Sequence, residues 1–368
     1  MQDKKTIAFY IGSLSRGGAE HVMVNLADYF NSQGYQVYLV TKLEDPPEYD
    51  VPEGVTRILA DITENEISSS RVKNLCRRIG KLRRIWKETK PDIIVSFIRK
   101  NNLMAIASSR GLRIPVVVSI RSNPERELSG AFFKRLSFFM FRSADGIIMQ
   151  TGRAVEFLPK YLRKKAVIMP NSVDQRFMGT EISNERKHHI VSVGRIDDNK
   201  NQKMLLEAFD GIKDEYPSWS LYLYGDGEQR SKLEEMYGCD QITFHGQIGD
   251  VEKHVKDASI FVLPSKQEGM PNALIEAMAL GLACISTDCP CGGPADLIES
   301  GKNGILIPVD DIKGLKKELR LLMDEEGLRK KLGEEASRIT EVLSPDLVNS
   351  KWKEYIEGIV TKGRSDEV

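Results

Sequence analysis

Leu263-Pro264-Ser265-Lys266-Gln267-Glu268-Gly269-Met270-Pro271-Asn272-Ala273-Leu274-Ile275-Glu276-Ala277-Met278-Ala279 decides how this chain folds. An apolar run, Ile260-Phe261-Val262, leads into it, so a strand is expected to end at Leu263. A short loop then carries Glu268 and Gly269, and a helix over 272–280 is predicted to start near Pro271, because proline suits a first helical turn. The free N–H groups at such a helix start form a site for an anion or a hydroxyl, and glycine lets a ligand approach the backbone. Glu276, about one turn along, can reach back to the same ligand, where a carboxylate can accept two hydrogen bonds from a vicinal diol such as a ribose. A lone helical glutamate would read as a surface residue; the ordered string reads as a site.

Working outward, the same strand–loop–helix alternation recurs. Strands are predicted at 189–193, 220–224, 242–244, 260–263, 283–286 and 304–307, with further helices over 202–216, 312–323 and 326–342 and a last one after Pro345. Upstream, Thr6–Ile11 is a strand, Gly12 to Glu20 a glycine-rich turn, and Val22, Leu26, Tyr29 and Phe30 fall at helical spacing before Gly34. Strands follow at 36–40, 93–97, 116–120, 146–149 and 167–169. The pattern pauses around Pro170-Asn171-Ser172-Val173-Asp174, and a polar stretch, 180–188, follows, which places a domain boundary there. Two doubly wound parallel α/β domains imply a cleft, with ligands at the carboxyl ends of the strands.

The 368 residues suit two domains of roughly 150 residues or more. No apolar stretch approaches the ~18 residues of a membrane span, and no secretory leader is expected at the N-terminus. The five cysteines, Cys76, Cys239, Cys284, Cys289 and Cys291, form neither a disulfide framework nor a zinc spacing, which points to a reducing cytosol. The zero net charge conceals an asymmetry. Residues 1–180 carry 29 Lys and Arg against 18 Asp and Glu, and residues 181–368 carry the remaining 24 and 35. A basic half favours phosphorylated ligands, an anionic membrane surface or nucleic acid.

Three further strand ends carry polar groups. In Val193-Gly194-Arg195-Ile196-Asp197-Asp198-Asn199-Lys200-Asn201, Arg195 and Lys200 can clamp a diphosphate and neutralise a departing one. Gly225 follows Leu223-Tyr224, and Gly246-Gln247-Ile248 follows Phe244-His245. The pairs Asp197-Asp198 and Asp310-Asp311 lack supporting metal ligands and read as exposed or helix-capping residues. Cys289 and Cys291 are too few for a metal and read as structural, and His245 and His254 read as structural or surface groups.

Taken in order, these strand ends resemble the nucleotide-sugar half of the retaining glycosyltransferases of family 4, which have the two-domain GT-B fold. The resemblance covers nearly the whole chain, including Gly17-Gly18-Ala19-Glu20, Pro170-Asn171-Ser172-Val173-Asp174 and the glutamate–seven residues–glutamate spacing of Glu268 and Glu276. It implies two Rossmann-like domains facing across a cleft, 1–180 joined by the terminal helix 345–368, and 181–344. It implies that Arg195 and Lys200 bind the donor diphosphate and that Glu268 meets the transferred sugar. Gly269, Met270, Pro271 and Asn272 would touch sugar and phosphate through their backbone, Glu276 would hold the ribose, and Gly225 and Gly246–Ile248 would lie by the nucleotide. Gly17 and Gly18 would approach the phosphates or the acceptor. Many relatives place a histidine where this chain reads Ile120-Arg121-Ser122-Asn123, so Arg121 and Asn123 become acceptor-side candidates, and an arginine there is a poor base.

Breaking a sugar–diphosphate bond builds a diphosphate anion, which these cations can stabilise without a metal, so neither a metal nor a cofactor is expected. The expected partners are a UDP-sugar, or another nucleotide sugar, and a glycan or lipid-linked acceptor, but no nucleic acid. Residues 71–90 hold nine Lys and Arg and one acid, with Val72, Leu75, Ile79, Leu82 and Trp86 on one stripe, and 131–142 mixes aromatics with cations. Both suit core packing or an anionic lipid surface, hence a cytoplasmic protein stationed peripherally at the inner face of the membrane. The rivals are a nucleotide-sugar epimerase and a non-enzymatic lipid or nucleic-acid binder. The turn after the first strand lacks the G-x-G-x-x-G fingerprint, which argues against a dehydrogenase.

Overall fold

The computed structural model describes residues 4–15, 17–180 and 185–365. The chain divides into two compact units, Met1–Pro170 with Val348–Val368, and Asn171–Leu347. The division thus precedes the polar stretch expected to mark it. The Val173 N–H donates to the Leu343 carbonyl (2.8 Å), which ties this segment to the second unit.

The first unit holds one parallel sheet: β1 (Thr6–Ile11), β2 (Gln36–Thr41), β3 (Thr56–Leu59), β4 (Ile93–Phe97), β5 (Val116–Ser119), β6 (Gly146–Met149) and β7 (Ala166–Ile168), in the order β3-β2-β1-β4-β5-β6-β7. The second holds β8 (Lys187–Val193), β9 (Ser220–Tyr224), β10 (Ile242–Gly246), β11 (Ala258–Leu263), β12 (Ala283–Thr287) and β13 (Ile305–Ile307), in the order β10-β9-β8-β11-β12-β13. Helices cover both faces of such sheets, so central strands read as unbroken apolar runs; every residue of β4 and β11 is buried. The edge strand β3 is half-exposed and short, and sequence reading missed it.

Strand order reverses between β1 and β4 in one unit and between β8 and β11 in the other. The crevice outside the carboxyl ends at such a reversal is where a doubly wound sheet receives its ligand. The Val193–Asn201 loop leaves β8 and the Pro264–Pro271 loop leaves β11, so the two strongest motifs in the sequence flank one switch point.

Two predicted helices are interrupted. The first stops at Asp210, is capped by Gly211 and is followed by a separate turn at Lys213–Glu215; the second runs Glu326–Ser337 and resumes over Ile339–Val342. The basic helix spans Arg71–Thr89 and starts at Ser70, whose side chain accepts from the Lys73 N–H. Leu82, Ile85 and Trp86 are buried in it, while Val72 and Leu75 are exposed. The terminal helix, Pro345–Ser365, buries Trp352 against Phe97 of β4, ring centroids 5.9 Å apart.

Candidate active site

The loops at the carboxyl edge of the second sheet are laced together by their backbones. Gly194 N–H donates to Tyr224 O (2.9 Å), Ile196 N–H to Asp226 O (2.9 Å) and Gly225 N–H to Gly246 O (2.7 Å). Gly225 has φ +140°, and a Cβ there would collide with the Gly194 carbonyl, so only glycine lets these loops close up. Across the switch point, Lys266 N–H donates to Asn199 O (2.8 Å) and Asn199 Nδ2 to Gln267 O (3.0 Å). A Cβ on Gly293 would strike the Gly269 carbonyl, so the loop after β12 packs directly on the glycine beside Glu268.

This lacing brings together residues distant in sequence. Lys200 Nζ lies 2.7 Å from Glu268 Oε1, and both side chains are largely buried. The Ser265 hydroxyl donates to the same oxygen at 2.6 Å. Arg195 projects into solvent, three-quarters exposed, with its Nε 2.8 Å from Asp197 Oδ2. Asp197 also accepts from the Lys200 N–H (2.8 Å), so this aspartate shapes the cationic loop and is not one of an exposed pair.

The helix Asn272–Ala279 begins at Pro271, which occupies the cap position rather than the first turn, and no side chain caps its N–H groups. Those donors are open to a ligand. Asn171 Nδ2 donates to Met270 O (3.1 Å) and to Asn272 Oδ1, gripping the loop just before the helix. Glu276 is half-buried one turn along. Its negative charge, with those of Asp174 and Glu252, helps hold the Arg176 guanidinium above its usual range, the Asp174 hydrogen bond being the main cause. Gly246 has φ +72° and packs against the Arg230 guanidinium; Gln247 is exposed and Ile248 half-buried. His245 stacks on Tyr224 (4.8 Å, 10°), and the partial burial this gives, followed by the His254 charge, lowers its pKa. Arg176 and Arg230 carried no sequence signal, whereas Ser265, Asn199 and Asn171 stand in the motif strings with nothing to mark them out among their neighbours.

In the first unit, Gly17 and Gly18 open the helix Gly18–Ser32 after β1, again without a side-chain cap. Arg121 is buried after β5 with its guanidinium 4.8 Å from the Phe97 ring centroid, and burial lowers its pKa to about 10. Asn123 is buried and accepts from the Glu125 N–H (2.9 Å). The residue that organises this corner, missed in the sequence, is Glu127. Its carboxylate accepts from the N–H groups of Arg99 (2.8 Å) and Arg121 (3.3 Å) and from the Ser122 hydroxyl (2.8 Å), joining the ends of β4 and β5. Burial raises its pKa.

Residues 16–177 match the model described as Glycosyltransferase Family 4, and residues 174–339 match the model described as Glycosyl transferases group 1. A relative from Campylobacter jejuni is 25% identical over 361 residues, covering 95% of this chain and 98% of that protein: GalNAc-alpha-(1->4)-GalNAc-alpha-(1->3)-diNAcBac-PP-undecaprenol alpha-1,4-N-acetyl-D-galactosaminyltransferase. An Escherichia coli UDP-Gal:alpha-D-GlcNAc-diphosphoundecaprenol alpha-1,3-galactosyltransferase is 24% identical, covering 80% of this chain and 82% of its own length. In structure the chain is similar to Anabaena HepE in complex with UDP and glucose (TM-score 0.81, 16% identity, 96% of this chain and 100% of that one). It is equally similar to sucrose-phosphate synthase from Thermosynechococcus elongatus (TM-score 0.81, 17% identity, 98% and 100%). Two sheets wound about their own switch points, and two glycosyltransferase models that together span residues 16–339 and overlap at 174–177, just past the division between the units, place this chain in the GT-B glycosyltransferases of family 4.

Proposed function

We propose that the chain is a retaining, metal-independent transferase. It moves a hexose or N-acetylhexosamine from a UDP-sugar to a glycan or polyprenyl-diphosphate-linked acceptor in bacterial surface-glycan synthesis. One observation carries the reading: Arg195, Lys200, Glu268 and an uncapped helix start all meet the edge of the second sheet where its strand order reverses. Arg195 and Lys200 take the diphosphate, with Gly269–Asn272 supplying N–H groups. Glu268 takes the hydroxyls of the transferred sugar, Glu276 the ribose, and Gly246–Ile248 the base. The named acceptors of the Campylobacter and Escherichia relatives are undecaprenol-linked glycans, which supports a lipid-linked acceptor here. Arg121 and Asn123 are assigned to that acceptor.

The C1–O bond to UDP breaks while the acceptor oxygen bonds C1 on the same face. The acceptor proton passes to the leaving phosphate oxygen. Charge builds on the diphosphate, so the cations and helix amides do the work; removing one such donor commonly costs ~3 kcal/mol of barrier. No helix among the described residues is long and apolar enough to cross a membrane. The cations and the exposed Val72 and Leu75 of the Arg71–Thr89 helix support a cytoplasmic station on the anionic inner leaflet.

The test is a panel of UDP-glucose, UDP-galactose and the two N-acetyl analogues, scored for binding and for slow UDP release. Glu268→Ala and Lys200→Ala should each reduce turnover on the preferred donor by ~100-fold or more; near-normal rates in both would overturn the assignment. Excess EDTA should leave the rate intact; a loss reversed by magnesium would remove metal independence. Sedimentation with phosphatidylglycerol vesicles at low salt should carry the protein down, and its failure to do so would remove the membrane station.

A further inference from the structure

We infer that Ser265 is a positioning residue for Glu268, holding that carboxylate in place when Lys200 turns to the donor diphosphate; the inference rests on the donor-site reading above. Ser265 lies one residue beyond Pro264 at the end of β11 and is fully buried. Its hydroxyl donates to Glu268 Oε1 at 2.6 Å, the short separation of a bond to an ionised acceptor. Lys200 Nζ meets the same oxygen at 2.7 Å. Both partners converge on Oε1, so in the donor-site reading the sugar hydroxyl falls to Oε2.

The two partners differ in what they do when a donor arrives. Lysine is a compact charge on a flexible stem, and the end of the Lys200 side chain lies beside Gly194, which has no side chain of its own to hold it. An incoming diphosphate competes with Glu268 for that charge. Ser265 cannot be drawn away. Its own carbonyl accepts the Thr287 hydroxyl from the last residue of β12, which fixes it to the neighbouring strand. The lysine can therefore serve the phosphates while the serine keeps the carboxylate aimed. Ser265 touches no substrate in this scheme; it acts through Glu268, and its effect belongs to the donor-bound state.

The experiment measures UDP released without acceptor from each of UDP-glucose, UDP-galactose and the two N-acetyl analogues, and compares the unmodified protein, Ser265→Ala, Ser265→Thr and Glu268→Gln on the donor turned over fastest. Ser265→Ala should lower kcat about tenfold with KM within about twofold, and Ser265→Thr, which keeps the hydroxyl, should restore kcat to within about threefold. Thermal melting of each variant controls for folding. Should Ser265→Ala not fold, Ser265→Cys, a weaker donor of similar size, carries the same comparison. A kcat within twofold of the unmodified value in Ser265→Ala, alongside an inactive Glu268→Gln, overturns the role of Ser265 alone. Equal losses in Ser265→Ala and Ser265→Thr at unchanged melting overturn it as well. Full activity in Glu268→Gln, or no UDP release by the unmodified protein, overturns the donor-site reading and this inference with it.

Discussion

Lys200 and Glu268 are each other's counter-ion, 2.7 Å apart on loops that leave neighbouring strands. The cation assigned to phosphate is thus held by the carboxylate assigned to sugar, and a donor must divide the pair. Glu268→Gln frees the lysine from its competitor. UDP should then bind severalfold more tightly while turnover is lost, whereas Lys200→Met should weaken UDP; calorimetric titration of both variants checks this. In stability, each single change should cost ~1–2 kcal/mol, because the remaining charge is partly buried, and the double variant should cost less than the sum. Urea melts of the four proteins close that cycle, and strict additivity would contradict the pairing.

Gly225 is where the backbone itself makes the site. Its φ of +140° and the nearness of the Gly194 carbonyl leave no room for a side chain. Gly225→Ala combines left-handed strain with a steric clash and should cost ~2–3 kcal/mol. The relief available is a shift of Gly194 and Arg195, so UDP affinity should fall with stability. Unchanged UDP binding in a destabilised variant would show that the two loops are independent.

The strands of both sheets were legible because a parallel strand buried on two faces is an unbroken apolar run that stops at Gly, Pro or a polar group, as at Leu263-Pro264 and Val193-Gly194. β3 escaped because Thr56–Leu59 is a half-exposed edge. Site residues were legible where they sit in strand-end loops. Their partners were not. The Lys200–Glu268 pair spans 68 residues and exists because β8 and β11 are neighbours, a matter of strand order that no local window carries. Nothing local sets Glu127 apart from Glu125, and only the fold brings the N–H groups of Arg99 and Arg121 to it.

Trp352 tests the tie between the terminal helix and the first sheet. It is fully buried against Phe97. Trp352→Ala should destabilise the first unit by ~3–5 kcal/mol through lost transfer energy and the cavity left behind. Trp352→Phe should recover more than half. A thermal melt that resolves the two units should show only the first transition moving; equal movement of both would mean that they unfold together.

The acid side of stability should be set in part by Glu48. Its carboxylate pairs with the Arg57 guanidinium at 2.7 Å and also accepts from the N–H groups of Leu14 and Asp45. The Arg57 hydrogen bond is the main cause that lowers its pKa to about 2, against 4.5 for the free side chain. Because the folded value is depressed, the stabilisation is complete above about pH 4.5 and is lost as pH falls towards 2. With solvent screening allowed for, the contribution is ~1 kcal/mol. Glu48→Gln should therefore melt lower than the unmodified protein at pH 7, with the gap narrowing steadily below pH 4.5. A gap that stays constant down to pH 3 would assign the loss to packing and not to the charge.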